Sequence, residues 1–316
     1  MRVAVVGYGR FGPHHARVFS EILGPENVDV VDRDWDRCAA AQEAFPRASV
    51  HQSLSLSHAG AVVVATPAAT HEDVAWEALR EGRHVLCEKP LALSWSHGQY
   101  MLEHAAKNSQ VLMTGLTYLY HPVLGAFERI AMSGQTGVVT DVHLRRQILG
   151  PVRTDVNVIH DLMTHLVPVA LMMAGAPAQM ASAHASKTWG GRMFDTASAD
   201  LWHANGVQSH LFASWVVPER AQEWWVVGSE GSASWLDPEP RVEFRRHSLL
   251  DGVLAVQEPE PVEFEPTEPL YQQARAFLSR IEDGTWVDDA LDPAVLKTVD
   301  AIQRAALGGR RSAVQS

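Results

Sequence analysis

The chain of 316 residues is 46% hydrophobic and sets 26 Lys and Arg against 37 Asp and Glu, a formal charge of −11. That is enough length and apolar content for two domains, each with its own core. The acidity argues against gripping nucleic acid or an anionic membrane, and two cysteines, Cys38 and Cys87, allow neither a disulfide framework nor a CxxC zinc knuckle.

Short β-branched runs over 3–6, 28–32, 61–66, 84–88 and 111–115 predict strands. Apolar residues at helical spacing over 13–23, 35–44, 71–81 and 95–107 predict helices between them. The runs Val3-Ala4-Val5-Val6 and Val62-Val63-Val64-Ala65 lack polar alternation. Strands buried on both faces read this way, so the first sheet is expected to be parallel with helices on either side. After Pro122 the texture changes. A helix over 123–133 leads to a strand over 138–148 and a second helix over 161–174. Extended segments follow over 179–188, 197–202, 208–216, 223–227, 232–236 and 242–246, parted by turns such as Asn205-Gly206 and Glu230-Gly231. They predict a largely antiparallel sheet with one helix-covered face. The Pro- and Glu-rich stretch 237–268 is expected to be a surface loop with an edge strand, 268–283 and 293–306 to be helices, and 308–316 a disordered tail. With no apolar run of membrane-spanning length and no secretory leader in Met1-Arg2-Val3-Ala4-Val5-Val6-Gly7, a cytoplasmic protein is expected.

The first strand runs into Gly7-Tyr8-Gly9-Arg10-Phe11-Gly12, a GxGxxG turn opening a helix. Gly7 suits the tight turn, Gly9 lets the backbone approach a pyrophosphate, and Gly12 lets helix and strand pack closely; the helix N-terminus faces the anion. Asp32, at the end of the second strand, can accept the ribose hydroxyls of NAD and repel the 2′-phosphate of NADP. Arg33 beside it can pair that phosphate, so NAD is favoured over NADP without excluding it. A later strand ends in Glu88-Lys89-Pro90, at the end of the sheet that lines the ligand crevice. A lysine there can donate to a substrate oxygen, and Pro90 restricts it to extended backbone. A surface Glu–Lys pair fits the same spacing. The turn Ala65-Thr66-Pro67-Ala68-Ala69-Thr70-His71 offers Thr70 as a helix N-cap and backbone to line the nicotinamide, or is a plain strand–turn–helix junction.

Taken together, Gly-Tyr-Gly-Arg-Phe-Gly, Ala-Thr-Pro-Ala-Ala-Thr-His and Gly-Arg-His-Val-Leu-Cys-Glu-Lys-Pro-Leu-Ala resemble the Gfo/Idh/MocA family of sugar and cyclitol oxidoreductases. The resemblance runs along the whole chain. It implies an α/β protein: a dinucleotide-binding Rossmann domain over 1–120, then an α/β domain over 121–316 for substrate binding and oligomerisation, built on an open, mostly antiparallel sheet. It implies NAD as cofactor, held by Gly7, Gly9, Arg10, Phe11, Gly12, Asp32, Arg33, Thr66, Pro67, His71, Glu88, Lys89 and Pro90, with a cis Lys89–Pro90 bond. The family's Asp and His, four residues apart on a helix, match Asp161 and His165 in Asn157-Val158-Ile159-His160-Asp161-Leu162-Met163-Thr164-His165. At helical spacing the two share a face, so the carboxylate can orient the imidazole. The resemblance implies a catalytic group of Lys89, Asp161 and His165, with His165 accepting the carbinol proton and Lys89 polarising the oxygen. Spacing alone fits an ordinary surface pair, and His160, Asp161 and His165 supply too few ligands for an ion, so no metal is expected. The chain departs from many relatives at His165-Leu166-Val167-Pro168, where they carry His-Asp-Ile-Asp.

The stretches 155–165, 214–220 with 226–231, and 268–270 resemble the branch of UDP-N-acetyl-hexosamine or -hexosaminuronate 3-dehydrogenases. A diphosphate calls for cations, and Arg145, Arg146 and Arg153 are candidates, or solvated strand residues. Tyr118, Tyr120 and His121 fall where a sugar-facing loop belongs, or pack as core and linker; Asn157 joins them as a substrate contact. The expected function is an NAD(P)-dependent oxidoreductase acting on a secondary alcohol of a sugar, at C3 of a nucleotide-linked or amino sugar. A cyclitol or free-sugar dehydrogenase is the alternative, and a non-catalytic NAD- or sugar-binding sensor a further one. A homo-oligomer, dimer or tetramer, is expected from the bare sheet face, with neither nucleic acid nor membrane as partner.

Overall fold

The unbroken apolar runs near the N-terminus become parallel strands β1 (Val3–Val6), β2 (Val28–Val31), β3 (Ser49–His51), β4 (Ala61–Val64), β5 (His84–Glu88) and β6 (Leu112–Gly115). Their order is β3-β2-β1-β4-β5-β6. β1 and β4 are buried along their whole length, as helix cover on both faces requires. The connecting helices are α1 (Gly12–Leu23), α2 (Trp35–Ala44), α3 (His71–Arg80) and α4 (Trp95–Lys107). Strand order reverses between β1 and β4, and the loops leaving their C-terminal ends border the crevice where open α/β sheets take ligands. β3 was not expected from sequence: it is a three-residue, half-buried edge strand too short to show a period.

The computed structural model describes residues 1–150, 152–239, 241–285, 291–309 and 311–314. The chain divides into two units, 1–117 with 268–296 and 118–267 with 297–316. The penultimate helix, α7 (Pro269–Asp283), returns to the first unit, where Phe277 meets Phe19 of α1 edge-on at 6.4 Å between ring centroids. Asp292, at the start of the last helix, α8 (Leu291–Gly308), accepts from the Thr114 backbone at 3.2 Å. An N-terminal unit completed from the far end of the chain differs from the expected division at 120/121.

The second unit is built on β7 (Val139–Gln147), β8 (Ala178–Ser186), β9 (Thr196–His203), β10 (Gln208–Ser214), β11 (Ala221–Gly228), β12 (Gly231–Leu236), β13 (Arg241–Leu250), β14 (Val253–Val256), β15 (Glu260–Glu263) and β16 (Ser312–Ala313). The order is β14-β13-β12-β11-β7-β10-β9-β8-β16, with β15 also on β13. Among the described residues of this sheet, only β7 and β10 pair in parallel. Helices α5 (Pro122–Met132) and α6 (Thr164–Ala174) lie on one face. Alternation along β11 shows the consequence: Gln222, Trp224 and Val226 are buried, while Glu223 and Trp225 face the other way. The stretch expected as a loop with one edge strand forms three strands, because Val242 and Phe244 alternate into the core and fix the register of β13. Part of the expected disordered tail pairs with β8 as β16; residues 310, 315 and 316 of it lie outside the described residues. Among the described residues, no helix is long and apolar enough to cross a membrane.

Candidate active site

In the first unit, Gly7 adopts φ +95°, and a Cβ there would stand 2.8 Å from the backbone of Ala65 and Thr66 beyond β4. Glycine is the residue that tolerates both conditions. A Cβ on Gly12 would run into the Gly7 carbonyl, so the third glycine sets the approach of α1 to β1. At Gly9 an added Cβ meets only the Arg37 guanidinium, at 3.7 Å, which leaves the loop surface open to a phosphate. α1 has neither an acidic residue in its first turn nor a side-chain cap, so its amides and dipole present an anion site. Arg10 and Phe11 are exposed at the rim, the guanidinium 5.8 Å from the ring centroid.

Asp32 is nearly buried at the end of β2. Its Oδ2 accepts from the Tyr8 backbone at 2.7 Å and its Oδ1 from that of Asp34 at 2.9 Å. An ionised carboxylate has about four lone-pair sites, so both ribose hydroxyls can still be accommodated. The cation beside it is Arg37 of α2, with Nη1 3.6 Å from Asp32 Oδ2, while Arg33 is exposed. Sequence reading missed Arg37; its signal was a position in the first turn of the helix that follows the ribose carboxylate. An open glycine, a bare helix N-terminus and an oriented carboxylate form a donor and acceptor set that fits a dinucleotide.

β5 delivers Glu88 and Lys89, and Lys89–Pro90 is cis. Lys89 is half-buried. Glu88 is buried, with its carboxylate 2.8 Å from His15 Nε2 of α1. Burial pushes the Glu88 pKa up, but the His15 hydrogen bond and the charges of His15, Lys89 and His71 outweigh it, leaving the pKa below its ordinary value. Buried His71 lies between two carbonyls, Nδ1 2.9 Å from Pro90 O and Nε2 2.8 Å from Thr66 O. Burial holds it below the usual histidine value although both carbonyls favour its proton. His71 therefore ties the turn after β4 to the turn after β5. Glu88 and His71, expected as cofactor contacts, have these polar atoms committed to the scaffold around Lys89. Thr66 and Pro67 lie on the turn that faces Gly7. Thr70 occupies the N-cap position of α3, but its hydroxyl donates back to the Pro67 carbonyl at 2.8 Å.

In the second unit, Asp161 falls within a π-helical turn, Ile159–Met163, and His165 within α6, so regular i,i+4 geometry does not span the pair. Such wide turns recur at functional sites. Asp161 Oδ2 accepts from the Trp215 indole at 3.0 Å and Oδ1 from Arg153 Nη1 at 3.4 Å. Arg153 also forks onto Asp155 at 2.6 and 2.9 Å, a hydrogen bond that raises the arginine and lowers the aspartate. The His165 ring lies against Tyr118, 4.7 Å between centroids and tilted 32°. Tyr118 donates to Gln222 Oε1 at 2.6 Å, Arg146 donates to the same oxygen at 2.5 Å, and the Arg146 guanidinium stands 5.0 Å from the Tyr118 centroid.

Other expected substrate contacts are placed elsewhere. Asn157 is buried; its Oδ1 accepts from the Ile159 and His160 amides and its amide donates to Gln303, so it caps the π turn. Strand alternation turns Arg145 to the face opposite Arg146, where it meets Gln147, Phe212 and Glu223. Tyr120 is half-buried in the turn after Tyr118, and His121 packs on Trp235 at 5.2 Å. Leu166, Val167 and Pro168, which replace the acidic pattern of relatives, are buried. Trp215, Gln222 and His15 were not singled out from sequence, because each acts through a partner remote in the chain.

Residues 1–116 match the model described as the oxidoreductase family with an NAD-binding Rossmann fold, and residues 129–234 match the GFO/IDH/MocA C-terminal domain. The UDP-N-acetylglucosamine 3-dehydrogenase of Acidithiobacillus ferrooxidans is 28% identical over 288 residues, covering 89% of this chain and 88% of the relative. A solved structure of that enzyme superposes with a TM-score of 0.84 at 26% identity, covering 98% of each chain. GenD2 from gentamicin A biosynthesis, solved in complex with NAD, gives 0.83 at 27% identity over 100% of this chain and 97% of its own. An inositol 2-dehydrogenase of Paenarthrobacter aurescens is 42% identical, over 96 residues that cover 29% of this chain and 28% of the relative.

Proposed function

The chain belongs to the Gfo/Idh/MocA oxidoreductases and is an NAD-dependent sugar dehydrogenase by kind; from that premise we propose that it oxidises, or in reverse forms, a secondary alcohol at C3 of a nucleotide-linked amino sugar. NAD, when bound, supplies the two-electron acceptor for the carbinol hydride. Gly9 and the N-terminus of α1 hold its pyrophosphate, and Asp32 its ribose. Lys89 donates to the reacting oxygen. His165 accepts the hydroxyl proton at one ring nitrogen, and Asp161 contributes the negative charge that favours the resulting imidazolium.

The observation that carries the proton-handling role is the setting of His165. Its ring packs on Tyr118, and Asp161 is held by Trp215 and Arg153. Similarity over nearly the whole length to a UDP-N-acetylglucosamine 3-dehydrogenase supports the nucleotide-sugar reading. One observation favours a smaller neutral polyol: of the three arginines considered for a diphosphate, Arg145 faces the opposite side of the sheet and Arg153 is paired with two aspartates. Following NADH absorbance with UDP-N-acetylglucosamine, free hexoses and myo-inositol separates the two. Turnover confined to the nucleotide sugar supports the proposal, turnover confined to inositol or free hexose replaces it with the polyol reading, and no turnover with any removes both. We also assign a homo-oligomer in solution, which a monomeric mass by light scattering contradicts.

A further inference from the structure

The exposed face of the second unit's sheet carries a row of polar side chains in register across four strands. Asp200 of β9 pairs opposite His210 of β10, and His210 pairs opposite His143 of β7. Asp141 lies two residues before His143, on the same face of β7. Ser182 of β8 extends the row, donating to Asp200 Oδ2 at 3.3 Å. Asp141, His143 and His210 each offer one ligand atom, all within 4.8 Å of one another, and they form the one such group of three among the described residues. No sequence window contains the group, because its ligands come from two strands that parallel pairing brings together.

We propose that Asp141, His143 and His210 bind a first-row divalent transition ion such as zinc, with Asp200 as the outer carboxylate that orients His210. His210 Nδ1 is 2.7 Å from Asp200 Oδ1. A proton donated there fixes the tautomer and leaves Nε2 as a lone pair, the carboxylate–histidine arrangement common behind metal-bound imidazoles. That Nε2 lies 3.7 Å from Asp141 Oδ1, close enough for one cation to be held by both. The His143 ring lies alongside, 4.8 Å between centroids and 24° from parallel. The nearby cation Arg145 is turned toward Gln147 and Glu223.

Two imidazoles and one carboxylate suit zinc, nickel or cobalt; magnesium and calcium favour all-oxygen shells. Ligand atoms of a tetrahedral zinc site lie about 3.4 Å apart, given bonds of about 2.0–2.1 Å, which is within reach of side-chain rotation on paired strands. Three protein ligands leave one position for water or another donor. A site of this kind links β7 to β10 across their parallel junction and is independent of the proposed reaction.

The test uses the full-length chain without a histidine tag, stripped by chelator and titrated with zinc against a chromophoric competitor. The expected result is one zinc per chain, undisturbed by millimolar magnesium, with affinity reduced at least tenfold in His143→Gln and in His210→Gln. Asp200→Asn, which removes no ligand, is expected to weaken binding about 10–100-fold. Zinc is also expected to raise the melting temperature of the wild type and not that of the His143→Gln/His210→Gln double variant, a readout that needs no activity. Equal zinc stoichiometry and affinity in the wild type and the double variant overturns the site. So does displacement by magnesium, or no zinc binding at all.

Discussion

The imidazole of His165 rests against the phenol ring of Tyr118 at 4.7 Å and 32°, while the Tyr118 hydroxyl is anchored on Gln222. The ring orients, and the hydroxyl holds the ring. Tyr118→Phe keeps the packing and is expected to lower kcat/KM by only about fivefold, the scale of one hydrogen bond. Tyr118→Ala frees the imidazole and is expected to cost about 100-fold, the scale of misplacing a reacting group. Equal losses in the two variants would show that the hydroxyl acts directly.

The three glycines of the nucleotide turn are predicted to fail differently. Gly7→Ala meets both positive φ and the Ala65 backbone, so it destabilises the fold by at least about 1–3 kcal/mol, read as a shift in urea midpoint. Gly9→Ala meets only an arginine tip at ordinary contact distance, so its melting temperature stays near that of the wild type. Its NAD affinity, measured by calorimetry, falls at least tenfold, because the methyl occupies the surface offered to the pyrophosphate.

Cofactor preference is expected to follow Asp32 and Arg37. Asp32→Ala raises the KM for NAD about 10–100-fold, the scale of charged hydrogen bonds. Arg37→Gln reduces whatever activity the enzyme shows with NADP more than its activity with NAD, whereas Arg33→Gln leaves that ratio unchanged. An altered ratio in Arg33→Gln alone would return the assignment to the exposed arginine.

Breaking the buried His15–Glu88 pair strands a carboxylate. His15→Ala is expected to destabilise the protein by about 1–3 kcal/mol in urea unfolding, the range for leaving a buried polar group without its hydrogen-bond partner. A loss below 1 kcal/mol would show that Glu88 finds another partner or takes up a proton.

Acid is expected to weaken the fold in two steps of the same sign. His71, His84, His121 and His203 are held below 6.5, with burial the largest cause in each. As pH falls from about 6.5, the unfolded chain gains protons that the folded chain refuses, so stability declines. Glu88, net lowered although burial opposes this, contributes stability above about 4.5 that is lost as pH falls through its folded value. Calorimetric melting temperatures should therefore fall steadily from pH 7 to 5 and further below 4.5. A rise between pH 7 and 5 contradicts this reading.

The Rossmann half was legible because its signals are local. An apolar run such as Val62–Val64 and a glycine turn such as Gly7–Gly12 state their burial and backbone needs within a few residues. β3 was invisible because three residues at a sheet edge show no period; β13 was read only over 242–246, and β14 and β15 were missed because they lie in a stretch rich in proline and glutamate whose residues are mostly exposed. At the candidate site, motif spacing is what singles out Lys89, Asp161 and His165. Spacing does not single out their supports: Trp215 reaches Asp161, and His15 reaches Glu88, across distances in sequence that no window spans. Arg145 and Arg146 show the complementary error, since adjacent residues on a strand serve opposite faces.

The return of α7 and the start of α8 to the first unit has a consequence for synthesis. When the nucleotide-binding strands have left the ribosome, Phe19 still lacks Phe277 and the Thr114 amide still lacks Asp292, because those partners have yet to be translated. The nascent N-terminal unit waits, incompletely covered, while the whole second sheet is made. A stop codon anywhere before residue 268 thus removes part of the nucleotide-binding unit, although its glycine turn and lysine are already in place.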